Sequence, residues 1–98
     1  MNVIAMRQAA DLKEKEVIGL YLKAESAKSR LTVAEKEYRM SLAGSFAAAS
    51  AAEVKVETAK EKAMEAEKIY DEAYAEYMAM WDAYRVAQAQ AQAEAVEC

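Results

Sequence analysis

The sequence predicts an all-α protein: an antiparallel two-helix hairpin with a coiled-coil-like, alanine-rich seam, associating into a larger helical bundle. Three observations carry that expectation. Proline is absent and glycine occurs only at Gly19 and Gly44. Alanine supplies 24 of the 98 residues, with Glu, Lys, Met and Gln filling much of the rest. Apolar residues recur at heptad spacing through both halves of the chain. These residue types lose little side-chain freedom in a helix, and a sheet protein would need turn residues about every ten positions. The length allows one domain at most.

Helix one is expected over about 3–42. Its seven-residue repeat places Val3, Ala10, Val17, Ala24, Leu31 and Tyr38 at one core position. Met6, Leu20, Ala27 and Ala34 fill the other, with Lys13 and Ser41 as exceptions. Helix two is expected over about 46–94, ahead of a frayed tail at about 95–98. Its repeat reads Ala49, Val56, Ala63, Tyr70, Tyr77, Tyr84, Ala91 and Ala52, Ala59, Ala66, Ala73, Met80, Ala87. A pattern sustained this long is a coiled-coil seam signal. So much alanine lets backbones approach closely but supplies little area per layer.

The two repeats are out of frame by four residues across 42–46. A turn at about 43–46 explains the jump, with Gly44 ending helix one and Ser45 capping helix two. Ser50-Ala51-Ala52-Glu53 offers a second start with capping-box spacing. The alternative is one long helix with a stutter in a continuous coiled coil. Charge favours the turn. Residues 1–44 carry 8 basic and 6 acidic side chains, and residues 45–98 carry 5 basic and 11 acidic. Folding back brings a half of net +2 against a half of net −6.

A fold at Gly44 sets the apolar stretch 17–22 level with 69–74, and both stretches widen beyond their seams. We therefore expect Ile18, Tyr21, Leu22, Tyr74, Met78 and Trp81 to form one partner interface. Trp and Tyr combine an apolar body with a polar tip and are common anchors of interfaces. A two-helix hairpin has a single inner seam, so the surplus must face something else.

Several chemistries lack their residues. There is no histidine and the single cysteine is Cys98, so the commonest general base and an internal disulfide are missing. Neither glycine belongs to a phosphate-holding loop, and Ser29, Ser41, Ser45 and Ser50 have no base. Catalytic residues, cofactor and metal are all expected to be none. Glu53, Glu57, Glu61 and Glu65 form an acidic row that a divalent cation could bridge. With Lys55, Lys60, Lys62 and Lys68 interleaved, the row reads as a solvated face. A net charge of −4 disfavours nucleic acid, whose phosphates require a basic face. No signal peptide or membrane span is visible, which gives the cytoplasm as location. Secretion without a signal, or incorporation into a virion, is compatible with the same residues.

Leu42-Ala43-Gly44 stands at the turn. Tyr70, Tyr74, Tyr77 and Tyr84 are followed four residues later by Tyr74, Met78, Trp81 and Gln88. In length and hairpin plan the chain resembles the secreted ESAT-6-like proteins. Those carry Trp-x-Gly in the turn and, in the tail, a Tyr followed at that spacing by an acid. Neither motif is present, so the resemblance is one of plan. The functional expectation is a non-enzymatic protein–protein interaction module: an adaptor, assembly factor or small inhibitor of a larger complex. Its partners are a second copy and a second protein. The alternative is a structural subunit of a helical filament, shell or bundle.

Overall fold

A computed structural model of the chain describes residues 2–97, which form two helices and no strand: α1 (Val3–Ser41) and α2 (Phe46–Glu97). Each start has a side-chain cap. The Asn2 Oδ1 accepts the amides of Ile4 at 3.0 Å and Ala5 at 3.4 Å. At the second helix, Ser45 Oγ accepts the Ala48 amide at 3.1 Å. These caps satisfy donors that the first helical turn leaves unpaired. Ser50 lies inside α2, so the alternative start at 50–53 is not used. Replacing Ser45 with alanine should cost about 1 kcal/mol of stability. Urea unfolding at fixed protein concentration measures this, and an unchanged midpoint would show the cap to be idle.

The turn corrects one expectation. Gly44 is not a left-handed C′ residue, since no glycine among the described residues has positive φ. Its amide instead donates to the Ser41 carbonyl at 2.9 Å, closing a short i→i+3 turn. Ser41 Oγ also donates to the Tyr38 carbonyl at 2.7 Å. Two of the last carbonyls of α1, those of Tyr38 and Ser41, thus find partners without a left-handed residue. Glycine still suits the site, because a Cβ would stand 3.3 Å from the Ser41 oxygen. At the other end, α2 continues to Glu97 rather than stopping at about 94. The alternating Ala and Gln residues contain nothing to break it. The expected tail is helical over 95–97, and Cys98 lies outside the described residues.

By contacts the chain divides into two units, one of Met1–Gly19 with Asp71–Cys98 and one of Leu20–Tyr70. The Leu20–Tyr70 unit contains the turn. Within it, the rings of Tyr21 and Tyr70 approach to 5.6 Å, and Lys28 Nζ lies 3.7 Å from Glu67. Contact positions rise on α1 as they fall on α2, so the two segments run antiparallel. Ala24 and Ala63 are buried, while Leu20, Ala27, Leu31, Ala34, Tyr38 and Ser41 are half-buried. On α2 the half-buried residues are Ala49, Ser50, Ala52, Val56, Ala59, Ala66 and Tyr70.

In the other unit, Ala10, Val17, Ala73 and Tyr84 are buried. Val3, Met6, Lys13, Tyr77, Met78, Met80, Trp81 and Ala87 are half-buried. Lys13 is the charged exception in the seam, and it is satisfied there. Its Nζ reaches Glu76 at 2.6 Å and Glu16 at 3.1 Å. The bond to Glu76, then that to Glu16, holds its pKa above the ordinary lysine value. A raised folded-state pKa contributes stability at neutral pH that is lost as pH rises through the raised value.

Gly19 lies inside α1, and a Cβ placed there meets nothing within 4 Å. A glycine in a helix interior is less favourable than alanine by about 0.5–1 kcal/mol. Gly19→Ala should therefore stabilise the chain by that amount, read as a higher urea midpoint with an unchanged slope. A lower midpoint would mean that the open space around Gly19 is filled by another chain.

Candidate interaction surface

The five aromatic residues from 70 to 84 are spaced four, three, four and three apart, which keeps them along one side of α2. In the Met1–Gly19 and Asp71–Cys98 unit, four of them form a ladder. Tyr74 and Tyr77 ring centroids are 6.4 Å apart. Tyr77 meets Trp81 edge-on at 6.3 Å, and Trp81 meets Tyr84 edge-on at 5.4 Å. Edge-to-face geometry suits the ring quadrupoles and contributes about 0.5–1.5 kcal/mol per pair beyond area burial. The ladder passes from a buried end to an exposed one. Tyr84 is 7% exposed and Tyr74 is 44% exposed, with Trp81 half-buried between those extremes.

The ladder places Tyr74 and Trp81 on one connected surface through Tyr77. Met78 is half-buried in the same unit, and Ile18 there is 52% exposed. In the Leu20–Tyr70 unit, Tyr21 packs at a tilt against Tyr70 yet stays 47% exposed, and Leu22 is 61% exposed. Of the residues expected at a partner interface, Ile18, Tyr21, Leu22 and Tyr74 are exposed, and Met78 and Trp81 are half-buried within their own unit. No described side chain larger than alanine is fully buried.

The Leu20–Tyr70 unit also holds a groove that the aromatic pattern did not foreshadow. Arg30 of α1 and Lys55 and Lys62 of α2 line it together with Ala27, Val54, Thr58 and Ala59. It encloses about 260 Å³. A separate groove of the same unit is lined by Tyr38, Val56, Met64, Lys60 and the carboxylates of Glu53, Glu57 and Glu61. Among the described residues, no three acidic or cysteine side chains converge as a metal site. No helix there is long and apolar enough to cross a membrane.

No protein-family model matches the chain, and no curated protein or solved structure matches it either.

Proposed function

We propose that this chain is a non-enzymatic interaction module: a helical hairpin that self-associates through its exposed aromatic face and presents helix surfaces to a second protein, as an adaptor, assembly factor or inhibitor. The cytoplasm is the compartment we assign to it. The observation that carries the reading is the partly covered ladder of Tyr74, Tyr77 and Trp81. The Met78 side chain and the exposed Ile18 belong to the same unit, and Tyr21 and Leu22 add apolar surface in the other. An alanine-rich seam buries modest area, and small chains with small cores are marginal on their own. Covering Trp81 and Tyr74 against a second chain relieves that deficit.

The alternative is a structural subunit that stacks into a filament, shell or bundle. The basic and acidic grooves on one unit favour it, because complementary surfaces on one chain support repeated contacts. Light scattering across a concentration series, in high salt for the aromatic contact and in low salt for the charged grooves, tests the two readings. A finite dimer or tetramer supports the interaction module. Growth without an end point supports the structural subunit. A monomer at every concentration overturns both.

A further inference from the structure

We propose that the groove of Arg30, Lys55 and Lys62 docks the acidic face of α2, centred on Glu53, Glu57 and Glu61, of a second copy of this chain. The proposal goes beyond the aromatic contact proposed above and uses different residues.

The two flanks of the seam in the Leu20–Tyr70 unit are built on opposite rules. On one flank, charges alternate in sign across the helices. Lys28 pairs with Glu67 at 3.7 Å, and the same register sets Glu35 level with Lys60. On the other flank, Lys23 and Arg30 of α1 and Lys55 and Lys62 of α2 each immediately precede a seam residue. All four are cationic, and each precedes a residue of the Val3 or Ala49 series; in this unit the one acid at that heptad position is Glu37, toward the turn. Like charges flanking a seam repel across it. Arg30 and Lys55 also have no acid three or four residues away on their own helices. Intrahelical pairing, which serves Lys28 with Glu25 at 3.6 Å, is not open to them. A chain with more acids than bases keeps three cations together in one groove beside Ala27, Val54 and Ala59. An anionic, partly apolar occupant removes the repulsion and covers Val54, which is exposed.

The same unit supplies such an occupant. The second groove carries three carboxylates and one ammonium beside Tyr38, Val56 and Met64. Glu53 and Lys55, like Lys55 and Glu57, are two residues apart, about 200° around the helix. The acidic and basic surfaces therefore lie on opposite sides of α2. Lys55 and Lys62 stand about 10 Å apart along the axis and Glu53 and Glu61 about 12 Å, at 1.5 Å per residue. Two cations of one copy can thus meet two carboxylates of the next. Surfaces on opposite sides cannot both be satisfied by one twofold axis, so the contact is head-to-tail and propagates or closes a ring.

The test is charge reversal with complementation. Wild-type chain, Lys55→Glu/Lys62→Glu and Glu57→Lys/Glu61→Lys are run separately in sedimentation velocity, in about 0.01 M and about 1 M salt. Between those limits the screening length falls from about 30 Å to about 3 Å. Far-UV circular dichroism confirms that each variant remains helical. The wild type should gain mass in low salt. Each variant alone should keep only its high-salt mass, an association weaker by about tenfold or more. An equimolar mixture of the two variants should regain the low-salt mass. The proposal is overturned by a wild-type mass indifferent to salt, by variants that match the wild type, or by a mixture that restores nothing. It is also overturned if Lys55→Glu/Lys62→Glu keeps its self-association but loses binding to phosphatidylglycerol vesicles, since the groove then serves a lipid surface. Loss of the salt-dependent step with the high-salt oligomer intact leaves the aromatic contact standing. The reverse pattern, in a Trp81→Ala chain, removes the aromatic contact and leaves this one.

Discussion

Trp81→Ala should weaken the proposed self-association by about 2 kcal/mol or more, a loss of roughly thirtyfold, with helicity unchanged. Trp81 is half-buried in a single chain. It meets Tyr77 at 6.3 Å and Tyr84 at 5.4 Å, both edge-on. Its neighbours hold the indole in one orientation, so little rotamer freedom is lost when a second surface covers it. That pre-organisation is what turns an exposed aromatic into an anchor. Tyr74→Ala at the exposed end of the ladder should cost less, about 1 kcal/mol. Sedimentation equilibrium in high salt isolates this contact from electrostatic ones. Unchanged association in both variants would mean that the ladder packs only within its own chain.

Tyr84→Ala acts on the fold instead. Tyr84 is the bulkiest of the buried residues, and Ala10, Ala24, Ala63 and Ala73 have almost nothing to truncate. Removing a buried aromatic costs about 3 kcal/mol or more, from lost transfer free energy and the cavity left behind. For a chain of this size the melting temperature should fall by roughly 15 °C. Differential scanning calorimetry at constant protein concentration reads the shift. A fall of only a few degrees would mean that α1 and α2 close over the gap. If both results are obtained, two side chains 5.4 Å apart act on different equilibria, Trp81 on association and Tyr84 on folding.

The seam was legible because a period of seven needs only residue identity. On α1 the heptad positions from Val3 to Ser41 coincide with the residues that are buried or half-buried, including the exceptions Lys13 and Ser41. On α2 they coincide from Ala49 to Ala87, and Ala91 alone is exposed, where α1 gives out at Val3. Met78 and Trp81, expected at a partner interface, lie beside the seam and are half-buried within the single chain. Gly44 misled for a physical reason. Glycine is the usual left-handed cap, yet an i→i+3 bond to Ser41 and the Ser41 hydroxyl do the same work in ordinary backbone. The end of α2 was set too early because a run of alanine and glutamine carries no stop signal. The basic groove was missed because Arg30 and Lys62 become neighbours only once the register between helices is known.

The most direct test of the aromatic surface uses the wild-type chain. Trp81 is its single tryptophan, so its fluorescence reports one position. Acrylamide quenching is measured in high salt from the monomer range up to concentrations at which sedimentation shows association. The account predicts that quenching falls and emission moves to the blue over the same concentrations at which mass rises. Rising mass with constant quenching and constant emission would place the contact elsewhere and contradict it.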